Sequence, residues 1–149
     1  MSAESKSGKF HVTDASQIRS WVVCESGTRW LTATRRFAVQ MMPDHLIASI
    51  IPLQPTPGDF MKTCSLLTRK HPSILFWVIT PQNLTTVIDL ITQTSIGSRS
   101  VLQLAAVHEI SQASQIALSE TGIATQIQRP EQLPSLASMI RLHFQRAAA

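Results

Sequence analysis

Between Trp21 and Phe144 the hydrophobic period of the chain switches repeatedly. Short apolar runs rich in β-branched and aromatic residues alternate with stretches whose apolar residues recur at helical spacing. The run Ile74–Thr80 (ILFWVIT) anchors the series. It is apolar without interruption from Ile74 to Ile79, so neither of its faces suits water. That pattern predicts a central parallel strand covered on both sides. Strands that alternate with helices imply a parallel sheet with right-handed crossovers.

The other predicted strands are Trp21–Cys24, Leu46–Leu53, Val101–Val107 and Ile123–Gln128. Helical faces follow each one. Trp30, Leu31, Thr34, Phe37 and Ala38 share the first, within Thr28–Ala38. Thr56-Pro57-Gly58-Asp59 reads as a second helix start, leading into Phe60, Met61, Cys64 and Leu67. Thr80-Pro81 repeats the capping signal ahead of Leu84, Val87, Ile88 and Ile91, with Gly97 near the stop. Ile110, Ala113, Ile116 and Ala117 make the fourth face, and Gly122 suits a left-handed stop. The last helix is expected to begin between Glu131 and Pro134, with Leu136, Met139, Ile140 and Phe144 inward. Five βα units predict a three-layer α/β domain of flavodoxin-like order 2-1-3-4-5. Strands 2 and 5 are then edges, which suits Pro52, lacking a ladder donor, and the polar alternation Thr125, Gln126, Gln128.

Apolar residues make up 44% of the 149 and charged residues 15%, which excludes a disordered chain and provides a core for one domain. Residues 1–19 are polar and read as a mobile tail, with a weak strand signal at Phe10 and Val12; residues 20–149 form the domain. Two cysteines exclude a disulfide framework, and no His/Cys cluster has zinc spacing, so no metal is expected. No Walker loop or dinucleotide fingerprint is present, and no cofactor is expected. No run approaches the ~20 apolar residues that span a bilayer, and no leader pattern is seen. The expected compartment is the cytoplasm. The net charge of +4 raises nucleic acid as a partner. Against that, Arg35-Arg36 and Arg69-Lys70 fall late in predicted helices, where cations complement the helix dipole.

In an open α/β sheet ligands bind beyond the carboxyl ends of the strands, near the switch point. Those loops here are Cys24–Thr28 and Thr80–Asn83, with Ala106–His108 and Arg129-Pro130 beside them. Arg129-Pro130 after the fifth strand is similar to the lysine-proline step of response-regulator receiver domains, and the five-unit pattern over residues 20–146 resembles them in length and order. The resemblance implies a pocket of Glu25, Thr80, Ala106 and Arg129. It also implies a lost switch. Receivers hold Mg²⁺ with acidic residues after strand 1, where Glu25 stands alone, and the phosphoacceptor aspartate ends strand 3, where Val78-Ile79-Thr80 stands. Aspartyl phosphorylation needs that carboxylate and a cation. The expected function is a non-catalytic, pseudo-receiver module that binds a protein partner or itself. In the family such contacts often use the face around helix 4, strand 5 and helix 5, here near residues 108–146.

The loop after strand 1 supports an alternative. Cys24, Glu25, Ser26, Gly27, Thr28 and Arg29 run from a strand end into a helix, where backbone N–H groups face an anion and lower a thiol pKa. The loop resembles the phosphocysteine loop of sugar-phosphotransferase IIB domains and, less closely, that of low-molecular-weight tyrosine phosphatases. On this reading Cys24 and Arg29 are catalytic, and Ser26, Gly27 and Thr28 hold phosphate. The simpler reading makes Cys24 a buried strand-end residue. Flavodoxin itself is a weaker match, because its phosphate loop is richer in Ser and Thr. Trp30, which could stack on a flavin, has a duller use in helix packing. Likewise Trp77 reads as core, and His108 as a capping or exposed residue beside the presumed site.

Overall fold

The computed structural model describes residues 20–41, 49–58, 73–97 and 101–148. Strands β1 (Ser20–Cys24), β2 (Ser49–Leu53), β3 (Ser73–Ile79), β4 (Val101–Val107) and β5 (Thr125–Ile127) form one parallel sheet in the order β2-β1-β3-β4-β5. The helices are α1 (Arg29–Met41), α2 (Leu84–Gly97), α3 (Gln112–Ser119) and α4 (Ala137–Ala148), with a 3₁₀ segment at Pro130–Leu136. This is the expected α/β architecture and order. The predicted tail, residues 46–48 of the second predicted strand, and the helical face Phe60, Met61, Cys64 and Leu67 lie outside the described residues, as do Arg69-Lys70.

Side-chain alternation along the strands sorts the core into two layers. Trp21, Val23, Ile74, Phe76, Val78, Leu104 and Ala106 face α1, the 3₁₀ segment and α4. Val22, Cys24, Leu75, Trp77, Ile79, Ala105 and Val107 face α2 and α3. All seven residues of β3 are buried, as a strand covered on both faces must be. In the first layer Trp21 meets Phe37 and Phe76 edge-on, with centroids 6.0 and 6.3 Å apart. Trp30 packs on Phe76 at 5.4 Å. It is a core residue, as its helical position suggested.

The second layer holds a polar knot that periodicity does not reveal. Gln103 is buried in the middle of β4. Its Oε1 accepts from the Trp77 indole N–H at 2.9 Å, and its Nε2 donates to Ser95 Oγ at 2.9 Å and the Ile91 carbonyl at 3.2 Å. Ser95 Oγ in turn donates to the Thr121 carbonyl at 2.8 Å. One side chain thereby ties β3, β4, α2 and the α3–β5 turn together. Gly122 closes that turn at φ 115°, and a Cβ there would overlap Ser95 Oγ.

The second and fifth strands are the sheet edges, as expected. At β2 the Glu25 N–H donates to the Leu53 carbonyl at 2.9 Å. Strand alternation then turns the backbone groups of Ile50 and Pro52 outward. Pro52 has no N–H to offer, and Arg35 donates to the Ile50 carbonyl at 3.4 Å. Proline thus removes one outward donor of the edge, and Arg35 covers one outward acceptor. At the opposite edge β5 is only three residues long, shorter than the expected Ile123–Gln128.

Other expectations need correction. Arg35 and Arg36 sit in the middle of α1, which continues to Met41, so no helix dipole accounts for them. Of the face predicted for α3, only Ile110, just ahead of the helix, is buried. Ala113, Ile116 and Ala117 face outward, and Leu118 is the buried residue. An eight-residue helix offers too few positions for its period to fix its rotation. The final helix also begins later than expected. Pro134 has no N–H for an α-helical bond, and the chain runs as 3₁₀ until Ala137. Its inward residues Leu136, Ile140 and Phe144 are nevertheless the expected ones.

Candidate functional site

Parallel strands bring their carboxyl ends to one edge of the sheet. The register sets how far each strand reaches. Cys24 pairs with Trp77, and Val78 pairs with Ala106, which pairs with Ile127. Glu25, Thr80, His108 and Arg129 therefore follow the strand ends on the same rim. Ala106 stands within the sheet, buried between the strands and the α1–α4 layer, and offers the rim nothing. No hydrogen bond or ion pair joins the side chains of Glu25, Thr80 and Arg129 to one another, among the described residues.

Glu25 turns back into the protein. Its residue is 8% exposed, and its two carboxylate oxygens accept from the backbone N–H groups of Trp30 and Leu31 at 3.0 and 3.1 Å. These are orphan donors of the first turn of α1. A carboxylate at that end also complements the helix dipole. Glu25 is therefore a helix cap reached from the strand end, across the loop Ser26-Gly27-Thr28. The loop residues and Arg29 are exposed.

That arrangement bears directly on the phosphate loop. Two of the helix-start donors that an incoming anion would use, the Trp30 and Leu31 N–H groups, are already taken by a neighbouring carboxylate. Cys24 is fully buried, and it belongs to the layer beneath α2 and α3. The start of α1 lies over the other face of the sheet. The thiol and the helix N-terminus are thus separated by the sheet, whereas thiol activation there requires them side by side.

The rim after β3 is closed in a similar way. Asn83 folds its side chain back, its Oδ1 accepting from the Thr80 N–H at 2.9 Å and its Nδ2 donating to the Val78 carbonyl at 3.1 Å. The Asn83 N–H donates to the Thr80 carbonyl at 3.2 Å, and α2 starts on the next residue. Asn83, rather than Thr80, stands just before this helix, and its side chain braces the turn behind it instead of capping the free helix N–H groups. Beyond β5 the Arg129 guanidinium is exposed, while its backbone N–H and that of Gln128 donate to Gln132 Oε1 at 2.9 and 2.6 Å.

His108 and Glu109 complete the rim beyond β4. The His108 N–H continues the ladder to the Ile79 carbonyl at 3.0 Å. The two side chains are well exposed, with Nε2 and Oε1 3.8 Å apart, a spacing worth little at a surface. Glu109 holds φ 56°, an uncommon conformation for a residue with a side chain. In the loops after β1, β3 and β5 the side chains of Glu25, Asn83 and Gln132 bond to nearby backbone groups, with exposed polar groups beside them. No protein-family model matches the chain, and no curated protein matches it either. Among the described residues no helix is long and apolar enough to cross a membrane.

Proposed function

We propose that this chain is a non-catalytic, receiver-like module that works by binding a protein partner or a second copy of itself. One observation carries the reading. The single acidic residue at the end of β1, the position from which a receiver would hold its cation, spends both carboxylate oxygens on capping α1. Held against the helix start and only 8% exposed, the carboxylate is not presented to an ion on the open rim. Two further features support it. Ile79-Thr80 stands where a phosphoacceptor carboxylate would end β3, and Asn83 latches that turn. The Cys24 thiol and the α1 N-terminus lie over opposite faces of the sheet, which removes the cooperation a phosphocysteine loop needs.

The test is incubation with acetyl phosphate and Mg²⁺, followed by intact-mass spectrometry. The reading expects an unchanged mass. A stable adduct of one phosphoryl group, formed only with Mg²⁺, would overturn it and restore phosphoryl transfer as the activity.

A further inference from the structure

Between α1 and the 3₁₀ segment runs an open groove of about 280 Å³. Ala33, Arg36 and Phe37 form one wall, and Pro130, Leu133 and Pro134 form the other. Its floor is apolar: Phe37 and Leu133 are 5% and 2% exposed. Pro134 lies inside this segment and lacks the N–H of an α-helical bond, which suits its 3₁₀ geometry. The volume suits one or two side chains of a peptide better than a whole cofactor.

One basic and one acidic side chain, Arg36 and Glu131, line the groove, and two further exposed arginines lie beyond its lining. Arg36 lies on the outward stripe of α1, and Arg29 sits two turns earlier on the same stripe. Arg129 precedes Pro130 on the opposite lip. All three are exposed, and among the described residues none has an acidic side chain within ion-pair distance. Among the described residues Glu131 is the one acidic residue lining the groove. An occupant that supplies carboxylates to the arginines and an apolar side chain to the floor would complement both features.

We propose that this groove docks a short extended segment of a partner protein in which a bulky apolar residue is flanked by acidic ones. The apolar side chain enters between the prolines and rests on Phe37 and Leu133. Its acidic neighbours lie toward Arg29, Arg36 and Arg129. A nucleic acid suits the groove less well. The Phe37 ring is too deeply buried to serve as a stacking platform for bases. The inference rests on the interaction-module reading and gives the partner its chemistry.

The test pans a random-peptide display library against the full chain, with the bare support as control. The expected winners carry Leu, Ile, Met or Phe between Asp or Glu residues. A synthetic peptide of the consensus should bind about tenfold more weakly to Arg36→Glu. It should also lose affinity for Ala33→Trp, which fills the groove, and bind Ile116→Asp on the outward face of α3 unchanged. Thermal unfolding checks the variants; if Ala33→Trp does not fold, the exposed Arg36→Glu decides alone. No enrichment, winners without acidic residues, or indifference to Arg36→Glu would overturn the proposal. Peptides lost in Ile116→Asp instead would overturn the groove and leave the module reading standing. A mixed-sequence single-stranded oligonucleotide that displaces the peptide in an Arg36-dependent manner would overturn it too, assigning the surface to nucleic acid. A phosphoryl adduct, measured separately, would remove the module reading itself.

Discussion

Replacing Glu25 separates a cap from a ligand by the sign of the stability change. An acidic residue kept to hold a cation is commonly a liability without that cation, and its removal tends to leave stability equal or higher. A buried cap behaves in the opposite way. Glu25→Ala strips acceptors from two backbone donors, at 3.0 and 3.1 Å, in a residue only 8% exposed. Loss of an N-cap costs about 0.5–2 kcal/mol. Loss of the favourable charge at the helix end adds about 0.3–1 kcal/mol. The expected cost is therefore about 1–3 kcal/mol, a large share of the 5–15 kcal/mol typical of a domain. Glu25→Gln keeps one acceptor oxygen and loses the charge, so its cost should be roughly half as great. Glu131→Ala, an exposed acid, serves as control and should stay within about 0.5 kcal/mol. The assay is urea unfolding followed by tryptophan fluorescence, with the midpoint shift read at constant slope. A Glu25→Ala variant as stable as the parent or more so would refute the cap, and with it the argument that the rim is closed.

Three further substitutions probe the frame that holds the rim. Gln103→Leu removes the acceptor of the buried Trp77 indole N–H and should cost about 1–3 kcal/mol, again by urea unfolding; a loss under about 0.5 kcal/mol would show that the knot contributes little. Gly122→Ala combines a left-handed backbone with an overlap on Ser95 Oγ, so about 1–3 kcal/mol should be lost and amide exchange near Thr121 should quicken. Pro52→Val with Arg35→Ala restores a backbone donor and uncovers the Ile50 carbonyl at the edge of β2. Light scattering should then detect concentration-dependent self-association that the parent lacks.

The architecture is readable because its strongest signals are redundant. Ile74–Ile79 admits only a strand covered on both sides, and four further period switches surround it. Pro52 and Gly122 each mark a position where only one backbone solution is comfortable. The failures occur where the pattern is short or where a side chain bonds to the backbone. Four apolar positions do not fix the rotation of α3, so the period points Ile116 inward and the fold turns it outward. Pro134 delays α4 because a missing N–H outweighs hydrophobic period. Thr80 matches a capping signal, yet the helix starts only at Leu84, after a turn that the Asn83 side chain braces. The site is harder still. Glu25 in a strand-end loop reads equally as metal ligand, spoiler of an anion site or cap. Only its hydrogen bonds to Trp30 and Leu31 separate these roles. Gln103 carries no sequence signal at all, because a buried amide within an apolar strand is decided by the partners that surround it. Cys24 is the most suggestive residue of the loop, and strand alternation alone puts its side chain opposite that of Val23. The side on which α1 packs, which decides the chemistry, emerges only from the assembled layers.

The central claim is that this rim is closed to phosphoryl chemistry. Its most direct test is the pH dependence of iodoacetamide alkylation at Cys24 in the folded protein, read by peptide mass spectrometry so that Cys64 is counted separately. Activated thiols react as though their pKa were roughly 3.5–7.5, whereas a buried one waits for the structure to open. The closed rim predicts slow modification of Cys24 that accelerates with denaturant and not with pH near neutrality. Rapid alkylation of the native protein below neutral pH would place an exposed thiolate at the end of β1, and contradict it.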